Sequence, residues 1–162
     1  MKSCNELIQE EVVKLSFYEL DSVDVDVPFG ISNIEKLNNV TFGKPILHLS
    51  NNVVSTIKAE HNLMFDGFPN IKRSTKREPS GRIHIFDISV NAFGGTEDLR
   101  KAENQLSNID FIVVAETADA KRYMLYTLPN TSVFGVEDQM GEMTTQNIKV
   151  QIKSLSSFIP LL

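Results

Sequence analysis

Asp24 and Asp26 stand two residues apart in Ser-Val-Asp-Val-Asp-Val, a spacing that turns both carboxylates to one side of an extended chain. Such a pair can ligate calcium or divide acid and base work between its members. Interleaved with Val23, Val25 and Val27, it equally fits the solvated face of a half-buried strand, and that reading is preferred. His48, His61 and His84 are the other candidates for proton transfer or zinc binding. No two of them are spaced i, i+2 or i, i+4, and the sole cysteine, Cys4, lies far from all three. Zinc would therefore need ligands gathered by the fold, and the histidines are read as structural. Cys4 cannot form an internal disulfide and is read as an incidental thiol.

Two further segments imitate ligand loops. Glu137-Asp138-Gln139-Met140-Gly141 is acidic but lacks the Asp-x-Asp-x-Asp/Asn-Gly spacing that converges oxygens on calcium, so it reads as a turn with Gly141 left-handed. Gly94-Gly95 opens a helix as a phosphate cradle would, yet no third glycine or Lys-Ser/Thr follows. Glu97 and Asp98 would also repel phosphate there. Gly-x-Ser-x-Gly and His-Glu-x-x-His do not occur. The expectation is a non-enzymatic chain with no catalytic, cofactor-binding or metal-ligating residues.

What remains is electrostatic. Ile71 to Arg82, IKRSTKREPSGR, holds Lys72, Arg73, Lys76, Arg77 and Arg82 with one acid, Glu78, in a chain of net charge −5. No aromatic residue lies in this segment to stack nucleic-acid bases. The acidic balance also argues against general duplex binding. The six charged residues are read as a subunit-contact loop, facing an unlike patch on an identical subunit.

The elements that must carry this loop follow from periodicity. Val13, Leu15 and Phe17 fit one side of a strand, although Asn5–Leu15 also permits a helix. Val23, Val25 and Val27 suggest a second strand, residues 31–45 a turn-rich stretch, and Ile46–Leu49 a short strand. Residues 53–65 fit a longer strand, and after the Pro79-Ser80-Gly81 turn Phe86, Ile88 and Val90 alternate with Asp87 and Ser89. Residues 66–82 are thereby expected to form a projecting hairpin or loop. A helix is predicted over residues 96–107, with Thr96 as N-cap, acids in its first turn, and Leu99, Ala102 and Leu106 as its apolar stripe. Runs at 109–116, 122–128, 132–136 and 143–155 then suggest a β-meander.

At 162 residues, 41% hydrophobic and 23% charged, the chain can bury one core, so residues 1–162 are expected to form a single domain with a mobile segment at 1–12. No run approaches the roughly 18 apolar residues of a membrane helix. The first twenty residues lack the apolar centre of a signal peptide, so cytoplasmic synthesis is expected. The fold class expected is α+β, mainly an antiparallel β-sandwich or barrel with one flanking helix.

Three segments together resemble a known group. TKREPSGRIHIFDISVNAFGG gives a charged turn and a strand, and EDLRKAENQLSNIDFIVVAET a helix leading into a strand. ADAKRYMLYTLPNTSVFGVEDQMGEMTTQNIKVQIKS gives a turn and the closing strands. Over residues 74–155 this order resembles small structural proteins of tailed bacteriophages and prophages, of the tail-tube, tail-completion or connector kind. Where that pattern would place a glycine before the Tyr-x-Leu strand this chain has Ala120, and where another would follow it has Tyr126-Thr127. The resemblance implies a virion protein that forms rings or tubes with itself and other virion proteins, passes DNA without binding it specifically, and needs no membrane. A carbohydrate- or peptide-binding β-sandwich is the alternative, with a small enzyme behind it. The chain has no tryptophan and only Tyr18, Tyr123 and Tyr126 to offer as sugar platforms.

Overall fold

The computed structural model describes residues 11–25, 40–51, 58–79, 81–93, 96–128, 130–138, 145–155 and 158–161. The expectations for Cys4, for mobility at residues 1–12, for Asp26 and for the turn at 139–141 lie wholly or mostly outside those residues.

Among the described residues there are eleven strands, one α-helix and a single 3-10 turn at Leu20–Ser22. The strands and the α-helix are β1 (Val12–Glu19), β2 (Asp24–Val25), β3 (Val40–Thr41), β4 (Leu47–Ser50), β5 (His61–Glu78), β6 (Gly81–Phe93), α1 (Thr96–Leu106), β7 (Phe111–Thr117), β8 (Arg122–Leu125), β9 (Val133–Asp138), β10 (Thr145–Ser154) and β11 (Ile159–Leu161). Nine strands make one mixed sheet in the order β11-β8-β7-β1-β4-β5-β6-β10-β9, and β2 and β3 pair separately. Among the described strands only β4 and β5 run parallel, with Leu47 opposite His61 and Ser50 opposite Met64. The sheet ends at β11 and β9 and does not close on itself.

Alternation explains β6 and β10. Phe86, Ile88, Val90 and Ala92 point into the core together with Ile148, Val150 and Ile152, while Asp87, Asn91, Lys149 and Gln151 face water. β7 breaks the alternation because both of its faces are covered. Phe111, Val113 and Ala115 join the main core, while Ile112 and Val114 pack with Tyr18, Met124 and Ile159 beneath Leu20, Val23 and Phe42. A strand buried on both sides reads as a continuous apolar run, which is the FIVVA of this chain.

The helix begins at Thr96 and buries Leu99, Ala102 and Leu106 in the main core, as the i, i+3, i+7 stripe requires. It ends where Asn108 Nδ2 donates to the carbonyl of Asn104 at 2.7 Å. It lies against β5 and β9.

Three expectations are corrected. The first strand is β1, so the helical option for its described part is closed, and a register shift between Val12 and Lys14 puts Val12 on the core side beside Leu15 and Phe17. Of the strand expected at 53–65, residues 53–57 lie outside the described residues, Lys58, Ala59 and Glu60 are outside any strand, and His61–Phe65 open β5. The last strands are no meander: β7 pairs with β8 and β9 with β10, but β8 and β9 lie far apart in the sheet. The chain between them crosses instead. Thr127 donates to the carbonyl of Phe111 at 2.6 Å, Leu128 N–H to the carbonyl of Lys153 at 2.9 Å, and Asn130 takes a left-handed φ of 61°. β11 was not foreseen, because three residues with a central proline carry little strand signal.

Candidate functional site

The candidate contact residues all fall on the β5–β6 ribbon. Its register runs from Asn70 opposite Ser89 to Glu78 opposite Gly81. Pro79 follows β5 as a turn residue, and Gly81, which opens β6, has φ of 129°, which only glycine adopts without strain. At the other end the register shifts between Asp66 and Asn70, where Gly67 has φ of 70° and Phe68 stands 53% exposed.

Only the end of the ribbon projects. β10 borders β6 as far as His84, and β4 borders β5 only over His61–Met64. Lys76, Arg77, Glu78 and Arg82 therefore sit on a two-stranded end that extends roughly 10 Å past β10. Lys72 and Arg73, by contrast, are opposite Asp87 and Phe86, which β10 supports. The arm expected over 66–82 is thus mostly sheet, and it projects from about residue 76 to 83.

Residues directly opposite in an antiparallel pair point to the same face, so the ribbon sorts its cations. Arg73, Thr75 and Arg77 share one face with Phe86, His84 and Arg82, and it continues the core face of β6. Lys72, Ser74, Lys76 and Glu78 share the other with Asp87, Ile85 and Ile83. On the lysine face charge is balanced locally: Lys72 faces Asp87, and Lys76 Nζ lies 3.3 Å from Glu78. On the arginine face Arg77 and Arg82 oppose each other directly, and no carboxylate pairs with either among the described residues. Arg73 Nη1 donates to His84 Nδ1 at 3.3 Å. Burial, then Arg73 and Arg82, lowers the pKa of His84, so its ring stays neutral and can accept that bond.

The three histidines are not brought together. His61 Nδ1 lies 3.8 Å from Asp98, and His84 belongs to the ribbon. His48 shares a 2.7 Å hydrogen bond with Ser16 on the neighbouring strand. Sequence reasoning missed this last pair, because only the β1–β4 register puts the two residues opposite each other. Burial, and secondarily Lys14, lowers the pKa of His48 to about 4, while Glu116 pulls weakly the other way. A serine bonded to a histidine resembles the start of a nucleophilic triad. Ser16 is 3% and His48 1% exposed, however, so no substrate reaches the hydroxyl, and Glu116 is engaged by Lys14 at 3.1 Å. No three His, Cys, Asp or Glu side chains among the described residues form a metal-binding group. Asp24 enters the short strand β2 by its backbone.

The outer face of β5, β6, β10 and β9 carries a shallow depression of about 430 Å³ that includes Asn70, Lys72, Asp87, Ser89, Lys149 and Gln151. Within it Gln151 donates to Asp87 at 3.0 Å and Lys149 to Glu137 at 3.1 Å, and none of the described residues that line it is aromatic.

No protein-family model matches the chain, and neither a curated protein nor a solved structure matches it.

Proposed function

We propose that this chain is a non-enzymatic structural subunit that assembles with copies of itself and with other virion proteins, of the tail-tube, tail-completion or connector kind its sequence resembles. It would act in the virion after synthesis in a bacterial cytoplasm, and DNA would pass it without specific binding. The observation that carries the reading is the ribbon end, where Lys76, Arg77 and Arg82 stand on a two-stranded stem with no neighbouring strand among the described residues. Concentrated positive charge on a stiff projection has most to gain from an acidic surface outside its own fold. The absence of aromatic rings among the described residues that line the outer depression, and the closure of the Ser16–His48 pair, leave the glycan-binding and enzymatic readings without a comparable observation.

In the same reading the open sheet folds over as a sandwich. Phe17 of β1 and Phe134 of β9 stand five places apart in the sheet, yet their rings meet edge to face at 5.5 Å. A doubled sheet is the rigid body from which a short ribbon can act at a distance. The test is assembly itself. Sedimentation over a concentration series should show oligomers, and electron microscopy rings or tubes. Replacing residues 77–82 by a tight Asn-Gly turn should leave folded monomers. A strictly monomeric protein with the ribbon intact would end the proposal.

A further inference from the structure

We infer that the ribbon docks by its arginine face, and that the surface it takes is a carboxylate-bearing patch on a second copy of this chain. The inference rests on the assembly reading and adds which face makes contact and what chemistry it meets.

Two observations separate the faces. On the lysine face Lys76 is ion-paired with Glu78 at 3.3 Å, and Lys72 stands opposite Asp87 in the register. The arginine face places Arg77 directly across from Arg82, and no carboxylate pairs with either of these two among the described residues. Like charges opposed across a ladder destabilise a hairpin, so this arrangement costs the isolated subunit and is relieved only by an anionic partner. Arginine is also the cation suited to that partner, since its planar fork grips a carboxylate with two hydrogen bonds.

The occupant follows from charge complementarity. Of 21 acidic residues in the chain only Glu78 lies between Ile71 and Arg82, whereas five of 16 basic residues do. A second copy therefore offers an acidic body to a basic tip. Exposed carboxylates lie on it at the start of α1: Glu97, 87% exposed by side chain and 3.7 Å from Lys101, and Asp98, 56% exposed and 3.8 Å from His61. A tip that meets a different surface on the next copy makes a heterologous contact, which propagates into rings or stacks. Nucleic acid is the weaker match, because no aromatic residue between Ile71 and Arg82 can stack a base.

Two double variants remove equal charge from opposite faces: Arg77→Gln with Arg82→Gln, and Lys72→Gln with Lys76→Gln. The arginine pair should raise the concentration for half-assembly at least tenfold while thermal stability of the monomer holds or rises, because a repulsion has been removed. The lysine pair should shift assembly less than threefold. Equal losses from both pairs, or a destabilised arginine variant, overturn the inference. If the shortened tip abolishes assembly but the arginine pair does not, the inference fails and the assembly reading stands. If neither change alters assembly, the ribbon takes no part in it and the inference fails, whereas a strictly monomeric parent protein ends both. Fluorescence anisotropy with a labelled DNA duplex and a labelled single strand should show no arginine-dependent binding at physiological salt, and such binding would overturn the assignment to a second copy.

Discussion

His48 carries the clearest pH dependence in the molecule. Its folded pKa of about 4 lies below the ordinary value of 6.5, so the unfolded chain takes up a proton that the folded chain refuses. The stability it secures is complete above pH 6.5 and is lost as pH falls toward 4. Between pH 7 and pH 5 that loss is about 2 kcal/mol. Urea unfolding at the two pH values should show it, and His48→Gln should flatten the difference. An unchanged slope in the variant would mean that another group titrates. Ala120 makes a second residue-scale case. It closes the Thr117–Lys121 turn with φ of 65°, a left-handed conformation that costs an L-residue about 1–2 kcal/mol. Ala120→Gly removes that strain but loosens the unfolded chain, for a net gain of about 0.5 kcal/mol and a Tm higher by about 1–2 °C. A lower Tm would contradict this account.

Elements differ in how far they can be read from sequence, and burial explains the difference. α1 was legible because Leu99, Ala102 and Leu106 form one stripe while Arg100, Lys101 and Asn104 face water. β6 was legible because Phe86, Ile88 and Val90 alternate with exposed or half-buried partners. β7 kept its place but hid its environment, since nothing in FIVVA separates the face beneath Phe42 from the face against Phe134. The parallel β4–β5 pairing and the separation of β8 from β9 are invisible to periodicity, which reports a strand and never its neighbour. The ribbon lies between these cases. Its basic residues were evident, but their division into an arginine and a lysine face needed the register of β5 against β6. For the helix the consequence is measurable. Leu99→Ala should cost about 2–5 kcal/mol, and Arg100→Ala, on the solvent side, less than about 0.5 kcal/mol. Comparable losses for both would mean that the stripe is not what holds α1 to β5 and β9.

For the molecule as a whole, the decisive geometry is the meeting of distant strands. Phe17, Phe111 and Phe134 form a triangle of edge-to-face rings with centroids 5.5–6.2 Å apart, contributed by β1, β7 and β9. Phe158 similarly touches Phe86 at 4.9 Å and Tyr123 at 6.4 Å, joining the middle of the sheet to β8. In a flat sheet, strands about 4.8 Å apart would hold β1 and β9 more than 20 Å from each other. In the proposed sandwich the sheet turns back over its own apolar face, and that brings the rings together. A double-mutant cycle reads this directly. Phe17→Leu and Phe134→Leu each remove a ring without leaving a large void, and together they should fall short of additivity by about 0.5–1.5 kcal/mol, the worth of one aromatic pair. Additive losses would place the two rings in separate environments. The proposed sandwich would then lose its main support, and with it the rigid platform proposed for the ribbon.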